Sequence, residues 1–233
     1  MFTSSPRRAR SSEHSTEEPN DIPFEKWSPE RQIQTLYGPE WCKWGWVIFR
    51  CTYNPELDRC WGAFKDAIYE KTRKIVAESD APDIADKLEW TFMEDPRLEG
   101  ASLDELKRRF KEFARAESVV VDDYTQIPWG SRYRFFLQVD EESLRSMSDP
   151  GPAGLRKGHV KLVRACWENP AYPDTPETNQ FDEVLEDEDD NEDCMEIDVR
   201  MISPEFFMEL ENEEDWWLFY GMSTSLFSQY YHD

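Results

Sequence analysis

The sequence has no apolar run long enough to span a bilayer, which takes about 20 residues in a helix. Its first residues, MFTSSPRRARSSEHSTEEP, also lack the apolar segment of a secretory signal peptide. These two absences predict a protein without a membrane span that resides in the cytoplasm. A nuclear location is the alternative, because Arg7, Arg8 and Arg10 match a weak nuclear-import signal.

The chain has little of the chemistry that metal centres and common hydrolases use. Its three histidines, His14, His159 and His232, are far apart in sequence. Its five cysteines are odd in number and form no C-x-x-C pair, which indicates reduced thiols rather than disulfides or a zinc site. No Walker A, G-x-G-x-x-G, G-x-S-x-G or H-E-x-x-H motif is present. We therefore predict no metal and no cofactor, and the sequence favours a non-enzymatic protein.

Positive charge is scarce, above all toward the C-terminus. The chain carries 27 Lys and Arg against 50 Asp and Glu, which gives a formal net charge of −23. Residues 181–233 contain one arginine and eighteen acidic residues. A surface of this sign repels phosphate backbones and anionic lipid, so nucleic acid and membranes are poor partners and a basic protein is a better one.

Apolar and aromatic side chains are abundant, at 39% and 14% of the residues, which is enough for a packed core. We predict an α+β core over residues 24–170, preceded by a disordered tail over residues 1–23 that lacks hydrophobic periodicity. Residues 171–196, first Pro-rich and then acidic, predict a disordered loop. Residues 197–233 are predicted to complete the same domain with a strand, a helix and a strand.

Strands are predicted where aromatic and β-branched residues cluster or alternate with polar ones, at 44–53, 87–95, 132–140, 159–168 and 197–202. Helices are predicted from apolar stripes and N-capping residues, at 28–37, 55–78, 102–117, 141–147 and 203–210. The second helix should bury a stripe of Leu57, Trp61, Phe64, Ile68 and Ile75. The segment DWWLFYG, residues 215–221, is predicted to be a last strand or a buried aromatic anchor.

This order of elements predicts an α+β fold. Amphipathic helices that alternate with strands and cover one face of a mixed sheet describe a two-layer sandwich of ferredoxin-like style. The order of the strands within the sheet stays open.

One stretch of the core, LEWTFMEDPRLEGASLDELKRRF at residues 88–110, carries a family resemblance. Together with WGWVIFRCTY before it and RYRFFLQVDEESL and HVKLVRACW after it, it resembles a group of uncharacterised proteins from filamentous ascomycete fungi. The resemblance covers about residues 38–168. No activity is assigned to that group, so the resemblance implies a cytosolic fungal protein and carries over no catalytic residue.

Glu94 and Asp95 are the best candidates for acid–base chemistry. They follow a strand expected to be central in the sheet, where α/β folds often place functional groups. The alternative is that both carboxylates solvate the strand end, with Asp95 starting a turn at Pro96.

Two surfaces are candidates for binding. Trp216 and Trp217 are predicted to be exposed aromatics that receive part of a partner. The helix at residues 102–117 carries a basic stripe, which the acidic run could cover within the same chain: Lys107, Arg108, Lys111 and Arg115. The alternative for the stripe is an ordinary solvated face, balanced by neighbouring acids of the same helix.

The sequence therefore predicts a non-enzymatic protein-interaction module with an acidic segment. Its partner would be a basic protein or, within the chain, the basic helix. The alternative is a small-molecule enzyme or ligand-binding protein with a cleft near Glu94 and Asp95. The oligomeric state stays open.

Overall fold

The computed structural model describes residues 22–39, 42–117, 119–121, 124–126, 130–148, 158–165 and 192–221. The predicted tail up to residue 21 and the predicted acidic loop up to residue 191 lie outside these ranges. Within them the strands are β1 (Val47–Arg50), β2 (Thr91–Met93), β3 (Val119–Val121), β4 (Tyr124–Gln126), β5 (Phe135–Val139), β6 (His159–Arg164) and β7 (Cys194–Asp198). The α-helices are α1 (Pro29–Leu36), α2 (Asp58–Glu78), α3 (Leu103–Ala116), α4 (Ser131–Arg134), α5 (Glu141–Ser146), α6 (Pro204–Glu209) and α7 (Glu213–Gly221).

The main sheet has five strands in the order β2-β1-β5-β6-β7. Strand β1 is parallel to both of its neighbours, β2 and β5, whereas β6 is antiparallel to β5 and β7. Strands β3 and β4 form a separate antiparallel pair. The mixed sheet with its helices confirms the predicted α+β class.

Two hydrophobic clusters lie on opposite faces of this sheet. Successive residues of β1 alternate between them, with Ile48 in the larger cluster and Val47 and Phe49 in the smaller one. Helices α1, α2, α6 and α7 contribute to the larger cluster, and α3 contributes Leu106 and Phe110 to the smaller. Because all four residues of β1 are buried, both faces need a cover. Packing on both faces departs from the predicted two-layer, ferredoxin-like sandwich.

The predicted helix starts are confirmed at atomic detail. The hydroxyls of Ser28, Ser102 and Ser203 accept hydrogen bonds from backbone N–H groups in the first turns of α1, α3 and α6. The carboxylate of Asp140 does the same for α5. An N-cap depends only on residues within one helical turn, so a local sequence pattern is sufficient to predict it.

Other predictions of elements need correction. Strand β2 is short and lies at the edge of the sheet rather than at its centre. In α2 the buried stripe continues through Thr72 and Val76, whereas Ile75 is only partly buried. Strand β7 begins at Cys194, inside the segment predicted as a loop, and the chain then enters a 3-10 turn at Val199–Met201.

The segment predicted as a last strand is the helix α7. Trp216 and Phe219 are both buried, and this spacing of three places them on the same side of a helix. In a strand the same two side chains would point to opposite faces. The side-chain oxygen of Asn212 accepts a hydrogen bond from the N–H of Glu214 at the start of α7.

Candidate functional site

Polar side chains gather at one end of the sheet, where several strands begin or terminate. The carboxyl ends of β1, β2 and β5 lie at this end because the three strands are parallel. The start of β6 and the end of β7 lie there too, since β6 runs in the opposite direction to its neighbours. Two groups of charged residues lie at this polar end, one beside β1 and β2 and the other beside β5, β6 and β7.

Arg50, the last residue of β1, is the centre of the first group. Its side chain is only 9% exposed, and its Nε donates to the carbonyl oxygen of Thr52 at 2.8 Å. The guanidinium pairs with Asp58 and lies 3.8 Å from a carboxylate oxygen of Glu94. It also lies over the Tyr53 ring, 4.6 Å from the centroid. Arg50 therefore ties the end of β1 to the start of α2 and the end of β2.

The carboxylate of Glu94 is paired with basic side chains of this group. Lys65 of α2 donates to Glu94 Oε1 at 2.8 Å. Partial burial alone would raise the pKa of Glu94, but the hydrogen bond from Lys65 and the charge of Arg50 leave the pKa below its ordinary value. The carboxylate is thus ionised at neutral pH and shared between two cations.

Asp95 is paired in the same way. Its carboxylate accepts bonds from the backbone and side chain of Arg97, at 3.0 Å in each case, and from Arg109 at 3.3 Å. Arg97 is the main reason that the pKa of Asp95 lies far below its ordinary value. A general acid needs a proton at neutral pH, and a general base needs a pKa near it. The structure therefore places Glu94 and Asp95 in ion pairs at an edge strand, where they suit neither role.

The second group lies on the α3 side of β6 and β7. Lys161 stands between Gln138 of β5 and Glu196 of β7 in the strand register. Its Nζ lies 2.7 Å from Asp140 Oδ2 and 3.8 Å from Glu142 Oε2.

His159, the first residue of β6, belongs to the same group. Its Nε2 lies 4.0 Å from Glu196 Oε1, which is too long for a hydrogen bond. This nitrogen is buried, and among the described residues no hydrogen-bond partner reaches it. Ligand atoms of Glu142, His159 and Glu196 all lie within 4.8 Å of one another. Sequence reasoning missed this group because its members lie on α5, β6 and β7.

The two tryptophans predicted to bind a partner differ in exposure. Trp216 is fully buried, with its ring stacked on Phe135 at a centroid distance of 5.5 Å. Trp217 is 45% exposed, and the next residue, Leu218, is 54% exposed. The prediction that Trp216 is exposed is therefore wrong, because α7 turns it toward the larger cluster. Sequence reasoning did not identify Leu218 as a binding candidate, because its exposure depends on how α7 is rotated against the sheet.

Arg164 lies beside the tryptophans of α7. Its guanidinium carbon is 4.6 Å from the ring centroid of Trp216 and 4.7 Å from that of Trp217. The same guanidinium donates to Asp193 Oδ1 from two nitrogens, at 3.1 and 2.8 Å. Cation–π contact and ion pairing together fix the position of Arg164 against α7.

The basic stripe on α3 is paired in two ways. Lys107 Nζ lies 3.0 Å from Asp193, which belongs to the acidic run, as the intramolecular cover predicts. Arg108 instead pairs with Glu105 and Glu112 of its own helix, as the solvated face predicts. Lys111 and Arg115 are exposed. The rest of the acidic run lies outside the described residues, so the cover stays a prediction.

No protein-family model, curated protein or solved structure matches this chain. The resemblance to fungal proteins therefore stays a prediction. In the part of the chain that the structure describes, every helix is too short or too polar to cross a membrane.

Proposed function

We propose that the protein is a non-enzymatic interaction module that binds a basic, partly apolar segment of another protein through α7. The observation that carries this proposal is the pair of large apolar side chains, Trp217 and Leu218, that α7 exposes side by side. Large exposed aromatics are common at the centres of binding surfaces and cost little conformational entropy to order.

The anchoring of α7 supports a binding role. Trp216 and Phe219 pack into the larger cluster, and Trp216 Nε1 donates to the carbonyl oxygen of Glu192 at 3.3 Å. These contacts fix α7 in place, so the exposed side chains of Trp217 and Leu218 keep a constant position on the surface. A partner that meets Trp217 and Leu218 would find the surface already formed, which lowers the entropic cost of binding.

Charge supports a basic partner. Two acidic residues of α7, Glu214 and Asp215, lie about one helical turn before the apolar pair. The chain as a whole has a formal net charge of −23, which attracts cations over a Debye length. A segment that alternates lysine or arginine with apolar residues complements both features, and we propose that the two proteins meet in the cytoplasm.

The alternative, an enzyme or ligand-binding protein with a cleft at Glu94 and Asp95, has less support. Both carboxylates are engaged by basic side chains that hold their pKa values below the ordinary range. An acid–base pair needs groups whose pKa values lie apart and near neutrality.

A defined peptide tests the proposal. The probe is a fluorescent amphipathic helical peptide of lysine and leucine, and its anisotropy is measured against the full chain. We expect binding that weakens at least about tenfold in the double variant Trp217→Ala/Leu218→Ala, since hot-spot residues each contribute about 2 kcal/mol. The matched control is Leu36→Ala/Tyr69→Ala, which truncates exposed apolar side chains on α1 and α2.

Three outcomes would count against the proposal. Equal binding by the double variant and its control would show attraction by net charge alone. Equal binding of a peptide with glutamate in place of lysine would show that the partner need not be basic. Self-association that is lost in the double variant would identify a second copy of this chain as the occupant.

A further inference from the structure

We propose that Glu142, His159 and Glu196 bind one divalent transition-metal ion, such as Zn²⁺, at the polar end of the sheet. The site is separate from the α7 surface and does not depend on the proposed interaction. It joins the first turn of α5 to the first residue of β6 and to β7.

The backbone brings these three side chains together. His159 pairs with Asp198 and Lys161 with Glu196 in the β6–β7 ladder, so His159 and Glu196 are diagonal neighbours on one face of the sheet. Glu142 lies in the first turn of α5, which the Asp140 side chain caps through the N–H of Ser143 at 2.9 Å. All three residues therefore lie on regular elements, which hold ligands more closely than loops do.

The distances suit a shared ion better than direct hydrogen bonds. Ligand atoms bound to one zinc ion at about 2.1 Å each lie about 3 to 4 Å apart. The separation of His159 Nε2 and Glu196 Oε1, at 4.0 Å, falls within this range. The ligand atoms of the whole group lie within 4.8 Å of one another, so the two glutamate carboxylates must move closer to His159 Nε2 to bind one ion.

His159 Nε2 gives an independent reason to expect a ligand. This nitrogen is buried and has no hydrogen-bond partner among the described residues. An unsatisfied buried polar atom destabilises the folded state, because it has lost its hydration without gaining a partner. A metal ion that accepts the nitrogen lone pair would remove that cost, as neutral imidazole is a common ligand of transition metals.

The ligand set predicts which metals bind. One imidazole with two carboxylates suits Zn²⁺, Mn²⁺ or Co²⁺, whereas Mg²⁺ and Ca²⁺ prefer oxygen ligands alone. Three protein ligands would leave at least one coordination position for water.

Lys161 competes with the metal. Its ammonium group lies 3.8 Å from Glu142, although it is held more closely by Asp140 at 2.7 Å. A positive charge so near the ligands repels a cation, and it limits the affinity to a moderate value. Removing this charge should therefore strengthen binding.

Equilibrium dialysis of the full chain with Zn²⁺ alone measures the stoichiometry and affinity. We expect one ion per chain, with affinity reduced at least about tenfold by His159→Ala and by Glu196→Gln. Lys161→Met should bind more tightly than the wild type. The matched control is Glu141→Gln, which removes a neighbouring carboxylate on α5 that pairs with Arg145.

Thermal unfolding gives a second readout. An ion bound by the native state raises the melting temperature in proportion to the logarithm of its concentration. Zn²⁺ should therefore raise the melting temperature of the wild type and of Glu141→Gln, but not that of His159→Ala. Zinc affinity that is the same in His159→Ala, Glu196→Gln and the control would overturn the site and assign the binding to the acidic residues at large.

Discussion

The side chain of Arg50 illustrates how much can depend on one residue at a strand end. Its aliphatic part and guanidinium are buried against Tyr53 and Trp61, and its charge is divided between Asp58 and Glu94. Both carboxylates keep contact with solvent, at 62% and 36% side-chain exposure, so they can regain hydration if the arginine is lost. The contribution of Arg50 should therefore come from packing as well as from charge.

We expect Arg50→Met to lower the free energy of unfolding by about 1 to 3 kcal/mol, because the hydrogen bond to Thr52 and the two ion pairs are lost. Urea unfolding followed by circular dichroism measures the change. Arg97→Met is the matched control, since the Arg97 side chain is 81% exposed and solvent screens its ion pair, so the loss should be smaller than for Arg50→Met. Equal losses in the two variants would show that Arg50 has no special role at the end of β1.

At the scale of elements, α7 has two chemically distinct sides. Trp216 and Phe219 face the larger cluster, whereas Trp217 and Leu218 face outward. Adjacent tryptophans on one helix point about 100° apart, which is enough to separate core from surface. The helix therefore both completes the core and forms the proposed binding surface.

Two adjacent substitutions test this division. Trp216→Ala should cost about 3 to 5 kcal/mol of unfolding free energy, because it leaves a cavity beside Phe135. Trp217→Ala should cost less, about 1 to 2 kcal/mol, since Trp217 is 45% exposed and only part of its ring, including the contact with Arg164, is covered. Urea titrations of both variants give the two values. A loss of more than about 2 kcal/mol on Trp217→Ala would mean that its ring packs more tightly than α7 indicates.

For the whole molecule, electrostatics should control how stability depends on pH. Several carboxylates are stabilised in their ionised form by basic side chains: Glu89, Glu94, Asp95, Glu105 and Asp140. Their pKa values in the folded chain lie below the ordinary values of 3.8 for aspartate and 4.5 for glutamate. The net charge of −23 has the opposite effect, because the acidic residues repel one another and mild acid weakens that repulsion.

We expect the free energy of unfolding to peak at about pH 5 and to fall steeply below about pH 4. The sign follows from proton uptake: with folded pKa values depressed, the unfolded chain binds more protons in acid, so protons favour unfolding. Urea titrations between pH 3 and pH 8 measure the profile.

Glu94→Gln provides the control for this profile. The variant should be less stable than the wild type at pH 7, and the difference should shrink as the pH falls through the lowered pKa of Glu94 in the folded chain. A constant difference between the two proteins across the whole range would show that the ion pairs of Glu94 do not contribute to the pH dependence.

The local patterns of the chain predicted much of its secondary structure. The N-caps at Ser28, Ser102 and Ser203 and the long helices α2 and α3 were found because the residues that decide them lie within a few turns of one another. The same holds for the α+β class, which follows from the succession of strands and amphipathic helices.

Only the tertiary structure decided which of these elements are neighbours. Sequence alone determined that Glu94 and Asp95 follow a strand, but the position of β2 at the sheet edge depends on pairing with β1. Trp216 and Trp217 are alike as residues, and the packing of α7 on the sheet buries one and exposes the other. Glu142, His159 and Glu196 meet through the β6–β7 register and the position of α5, contacts that join residues far apart in the chain. Such contacts form when buried surfaces pack together, and a short local window of sequence does not contain that information.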